Sequence, residues 1–136
     1  MERMLDHITD VAVRVEGSTL AELFANGLQE MNRILSPETC GDPRQADCCM
    51  ELELNAPDPT ALLVDFLSEC LALTYIHKAL FCYVHFPQLE TTTVRARLYG
   101  HWFDRLENEI KAVTFHEAEV RQNREGKWET PLLFDL

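Results

Sequence analysis

Residues 48–78, CCMELELNAPDPTALLVDFLSECLALTYIHK, change their apolar period once, and that change decides the fold. Up to Asn55 the apolar residues alternate. Met50, Leu52 and Leu54 fall on one side and Glu51 and Glu53 on the other, as in a strand with one buried face. From Asp58 the period lengthens to that of a helix. Asp58 is a good N-cap and Pro59 a good first helical residue, and Leu62, Leu63, Phe66, Leu67, Cys70, Leu71 and Thr74 make a broad apolar stripe. His77 and Lys78 suit the negative C-terminal end.

The same strand-then-helix unit precedes this one. Val11, Val13 and Val15 alternate with Ala12 and Arg14 in a strand that ends at Gly17. Thr19 and Glu22 have capping-box spacing, and Leu20, Leu23, Phe24, Leu28, Met31, Ile34 and Leu35 follow at helical intervals until Ser36-Pro37 stops them. TCGDPRQAD, 39–47, reads as a loop.

Beyond residue 78 the pattern is β-type only: FCYVHF (81–86), TTVRARLYG (92–100), AVTFHEAEV (112–120) and KWETPLLFDL (127–136). RQNREGK, 121–127, reads as a hairpin connection, which makes the last two strands antiparallel neighbours. The apolar phase moves from Val113 and Phe115 to Ala118 and Val120, so a bulge is expected near His116 and Glu117. The order is β-α-β-α-β-β-β-β. Its simplest packing is an α+β fold, with two amphipathic helices on one face of a mainly antiparallel six-stranded sheet. Arg14, Glu51, Glu53, Arg95 and Arg97 then share the open face, either as a solvated surface or as a partner or subunit interface, which leaves a homo-oligomer open.

The chain has 136 residues, the length of one domain, and 46% of them are apolar. With 23 acids against 12 lysines and arginines its net charge is −11, which disfavours unaided nucleic-acid binding and favours cations and basic protein surfaces. The start, MERMLDHITD, has no apolar run of signal-peptide length, and no uninterrupted stretch of bilayer-spanning length is evident, so a soluble, cytoplasmic protein without a membrane partner is expected. Five cysteines, Cys40, Cys48, Cys49, Cys70 and Cys82, lack CxxC spacing and indicate neither a disulfide framework nor a zinc ribbon. Cys70 and Cys82 sit in apolar settings as core filler.

Chemistry-bearing residues gather at the two ends. LDHITD, 5–10, holds Asp6, His7 and Asp10, which fit a turn, a metal site or an acid/base site. At the other end Asp135 precedes Leu136, whose α-carboxylate is a second anion if the chain ends there. Asp10 and Asp135 each lie on the phase opposite the inward residues, so they share one region of the open face if the first and last strands are neighbours. Such carboxylates repel one another unless a proton or cation joins them, and oxygen ligands select calcium, magnesium or manganese over zinc. The alternative is that Asp6 and Asp10 organise a turn and Asp135 is solvated. Lys111 and His116 flank AVTF. A glycine-rich phosphate loop, GxSxG, HExxH and a Cys/His nucleophile arrangement are all missing, so no self-sufficient enzyme is expected.

Taken together, these strings resemble the archease family over nearly the whole chain. LDHITD, GSTLAELFANGLQEM, LLVDFLSE, KAVTFH and GKWETPLLFDL occur in the family's order. The opening acid-His-Thr-Ala-Asp motif is present as Asp6-His7-Ile8-Thr9-Asp10, with two positions changed. Lys111 to His116 fit Lys-Ala-x-Thr-aromatic-His, and Asp135-Leu136 fits an Asp-Ile ending. The resemblance implies an accessory factor of the RtcB-type RNA ligase, which promotes ligase guanylylation and multiple turnover in tRNA splicing and touches RNA only indirectly. It also implies a divalent-cation site, calcium first and magnesium or manganese as alternatives, formed by Asp10, Asp135 and Leu136. Lys111, Asp6, His7 and His116 are then candidates for contact with the partner. The rival reading is a general chaperone or a modulator of RNA-modifying enzymes.

Overall fold

The structure, a computed structural model, describes residues 10–37, 40–115 and 119–136. Strand β1 (Asp10–Gly17) leads into helix α1 (Leu20–Leu35), and strand β2 (Cys48–Asn55) into helix α2 (Pro59–His77). Five strands complete the order: β3 (Ala79–Leu89), β4 (Thr93–Trp102), β5 (Ala112–Phe115), β6 (Arg121–Gln122) and β7 (Trp128–Asp135). A 3-10 turn, Pro43–Gln45, lies between α1 and β2.

Both helices start where their caps dictate. The Thr19 hydroxyl accepts the Glu22 amide at 3.0 Å and the Asp58 carboxylate accepts the Ala61 amide at 2.8 Å. The reciprocal bond of the first cap comes one residue early, from the Ser18 amide to Glu22 Oε1 at 2.9 Å. Gly17 is required by space: a Cβ there would lie 2.4 Å from the Leu23 backbone nitrogen, so only glycine lets β1 close onto the first turn of α1.

Two helices packed against antiparallel sheets is the expected α+β class, but one six-stranded sheet is replaced by two. The first runs β1-β7-β5 with β6 also on β7, and the second runs β2-β4-β3. Alternation along a strand reports which face is buried and is silent about the neighbouring strand, so a break between sheets leaves no mark in the pattern. β6 is the seventh strand: Arg121 and Gln122, expected in the hairpin connection, pair with Glu129 and Trp128. The turn tightens onto Asn123–Lys127, where Gly126 takes the positive φ of 82° that a side chain would resist. The expected bulge at His116 and Glu117 lies outside the described residues.

The core is one cluster fed by both helices and both sheets, with Phe24, Phe66, Phe81 and Phe134 fully buried in it. The Phe66 ring is 5.5 Å from that of Phe24 and 5.6 Å from that of Phe86, within range for favourable aromatic pairing. By length and composition α2 is apolar enough to cross a membrane, which departs from the expectation of no such stretch. Here its Leu62, Leu63, Phe66, Leu67 and Cys70 are buried in the protein core.

Two further expectations are corrected. Glu51 and Glu53 face Arg97 and Arg95 across β2 and β4, as a shared open face requires, but Arg14 lies on the other sheet. Cys82 is joined to Cys40 by a disulfide across 42 residues of chain, with Cα atoms 5.7 Å apart. A spacing of that length carries no motif.

Candidate functional site

β7 is the central strand of the first sheet, and its last residue brings the two chain ends together. Asp10 of β1 is the direct cross-strand partner of Asp135, and Asp135 is also the partner of Ala112 on β5. Residues directly opposite across a sheet project to the same face, with Cβ atoms about 5 Å apart. Phe134 and Val113, in the next row, turn to the core. Asp10 and Asp135 therefore face each other on the open side, Asp10 exposed and Asp135 half-buried.

Like charges directly opposite destabilise a sheet. Among the described residues neither carboxylate has an ion-pair partner. Two hard oxygen donors in register are chemically suited to a divalent cation. Among the described residues no three His, Cys, Asp or Glu side chains gather as metal ligands, and the further donors these residues offer are main-chain oxygens, such as those of Leu136. Asp6, His7 and His116 lie outside the described residues.

Lys111 is placed beside this pair through its backbone. Tyr75 of α2 grips the preceding residue twice: its hydroxyl donates to the Ile110 carbonyl at 2.7 Å and accepts the Ile110 amide at 2.8 Å. The Lys111 amide then donates to the Asp135 carbonyl at 2.6 Å. Burial pushes the Tyr75 phenol above its ordinary value, which keeps it a hydroxyl able to do both. Lys111 itself is exposed and lines a cavity with Ser68, Leu71, Ala72 and Tyr75 of α2. The structure thus unites Asp10 and Asp135 and sets Lys111 at the edge of the same sheet.

Sequence patterning missed the other charged group on this face. Glu129 of β7 has only 6% of its side chain accessible; its Oε1 accepts Asn123 Nδ2 at 2.8 Å, its Oε2 accepts Arg14, and Arg121 lies 3.7 Å away. The Asn123 hydrogen bond, followed by that from Arg14, holds the carboxyl below its ordinary 4.5. A carboxylate with a depressed folded pKa contributes stability above its unfolded pKa and loses it as pH falls through the folded value. Glu129→Gln is therefore expected to lower the urea midpoint at pH 7, and the gap from wild type should narrow as the pH falls below the ordinary carboxyl value of 4.5. A gap that stays constant with pH would make the loss one of packing rather than charge.

Two helices laid on two antiparallel sheets make this an α+β domain of the archease fold. The solution structure of Methanobacterium thermoautotrophicum protein 1598 has this fold, with a TM-score of 0.72 at 21% identity, covering 94% of this chain and 93% of that one. The crystal structure of an archease, "possible chaperone", from Thermotoga maritima matches with a TM-score of 0.63 at 20% identity, covering 96% and 93%. The model of the Archease protein family (MTH1598/TM1083) matches residues 3–136, and the chain belongs to that family. Protein archease of Methanosarcina barkeri is 29% identical over 97% of this chain and 93% of its own length. That of Thermococcus gammatolerans is 29% identical over 96% and 95%.

Proposed function

We propose that this protein is a cytoplasmic activator of an RtcB-type RNA ligase, and that Asp10 and Asp135, with main-chain oxygens of Leu136, hold the divalent cation it uses. The observation that carries the reading is the register of β1 on β7, which sets the two carboxylates opposite one another on an open face. A cation bound there would neutralise the pair and supply a hard Lewis-acidic centre near the ligase's nucleotide. The chain's own part is positional. The β1-β7-β5 ladder aligns the acids, and Tyr75 fixes the strand that presents Lys111. The charge of −11 suits a basic protein surface better than RNA, which makes RNA contact indirect.

The test is guanylylation of the cognate ligase under limiting conditions, with and without this protein and with calcium, magnesium or manganese. Faster GMP attachment is the expected result. No change with any of the three metals would overturn the activator reading.

A chaperone is the second reading, favoured by exposed Ile76 (70%) and Trp102 (64%). Suppression of aggregation of an unrelated protein would support it, and a dedicated ligase factor should show little.

A further inference from the structure

The Cys40–Cys82 bridge sits where a reagent can reach it. Cys82 occupies a register shift on β3: Phe81 pairs with Gly100 and Tyr83 with Tyr99, so Cys82 is the extra residue of a bulge. Bulges re-aim side chains, and this one turns a residue of a core strand toward the loop after α1. Cys82 is 6% exposed, whereas Cys40 is exposed.

Both cysteines line a cavity of about 210 Å³ together with Gln29, Asn32, Arg33 and Tyr83. Asn32 is 97% buried (3% exposed), and its Nδ2 is committed to the Phe81 carbonyl at 2.8 Å. Among the described residues its Oδ1 has no hydrogen-bond partner, which is costly for a buried acceptor unless a donor enters the cavity. A peptide N–H supplies such a donor; the Arg33 guanidinium beside the cavity is paired with Glu30 at 2.7 Å.

The bridge also holds a cover in place. Gly41 lies against the His101 ring, and its carbonyl accepts the Tyr83 hydroxyl. Tyr83 and His101 meet edge to face with centroids 6.2 Å apart. Residues 40–42 therefore roof this aromatic pair, tied down by the disulfide on one side and by Tyr83 on the other.

We propose that Cys40–Cys82 is a thiol–disulfide exchange site for a small peptide thiol, seated in the Asn32 cavity, and that opening the bridge lifts residues 40–42 off Tyr83 and His101. The thiolate attacks the exposed Cys40 Sγ, forming a mixed disulfide as the Cys82 sulfur leaves as thiolate and takes up a proton. A second equivalent of the small thiol attacks the mixed disulfide at its own sulfur. The products are two protein thiols and one disulfide of the small thiol, so the protein gains the two electrons that the small thiols lose. Competing attack from two of the three free cysteines is suppressed. Burial keeps Cys70 a thiol, and burial with the Asp47 carboxylate raises Cys48.

Reduced and oxidised glutathione are the probes, on the full chain. In protein prepared without reductant and before any glutathione is added, alkylation after denaturation should label Cys48, Cys49 and Cys70 only; treatment with reduced glutathione should add Cys40 and Cys82. On reduction, amide exchange in residues 41–47 should accelerate at least about tenfold while β7 stays protected, and Tm should fall by about 10 °C. Cys82→Ser treated with oxidised glutathione should carry a glutathionyl group on Cys40, besides any on the exposed Cys49. Five labelled cysteines before glutathione is added, or unchanged exchange in 41–47 on reduction, would overturn the proposal. Because wild-type protein gives both readouts, a poorly folding variant leaves the test intact.

Discussion

Replacing Asp135 with alanine is expected to cut stimulation of ligase guanylylation by about tenfold or more, with the fold unharmed. Asp135 is half-buried at the end of β7, and its backbone groups carry the ladder contacts to β1 and β5, including the bond from the Lys111 amide. Alanine keeps all of these and removes only the carboxylate. Without a cation, the substitution also relieves the repulsion from Asp10, so the melting temperature should hold or rise slightly. A purely structural acid would behave in the opposite way, losing stability and activity together.

The cation supplies an independent reading of the same variant. Anything that binds only the folded state stabilises it in proportion to ligand concentration over Kd. Calcium should therefore raise the wild-type melting temperature, a chelator should reverse the rise, and Asp135→Ala and Asp10→Ala should respond to neither. A variant that still stimulates the ligase fully at limiting concentration would remove the acid pair from the mechanism. The activator role would then need another surface, of which Lys111 and the α2 cavity are the nearest.

The second large effect is on stability. Phe66→Ala is expected to cost about 3–5 kcal/mol, because the ring is fully buried and the cavity left behind cannot close from both sheets at once. Phe24 and Phe86 would each lose an aromatic neighbour. Chemical denaturation at neutral pH measures it. Phe86→Ala serves as the comparison, since Phe86 is only half-buried and should cost less. Equal losses would mean that the aromatic group is not centred on Phe66.

Much of the architecture was legible before any coordinates. Thr19 and Asp58 mark the helix starts because a side-chain oxygen satisfying free amides is a local event, settled within three residues. The alternations of β1, β2 and β7 report their buried faces for the same reason: Val15, Leu132 and Phe134 are buried where the period placed them inward. The phases of Asp10 and Asp135 were readable too, along with the condition under which they would meet.

That condition could be met only in three dimensions. Pairing of β1 with β7 joins residues more than a hundred positions apart, and the choice of neighbour rests on how helices and sheets close around one core. The split into two sheets, the separation of Arg14 from Glu51 and Arg97, and the burial of Glu129 follow from that closure and have no local signal. The Cys40–Cys82 bond is the clearest instance. A bulge on β3 and a loop after α1 bring two sulfurs together that composition and spacing had treated as unrelated. Local chemistry determined the elements and their faces; the tertiary structure decided which faces, charges and thiols meet, because those contacts depend on chain closure rather than on neighbours in sequence.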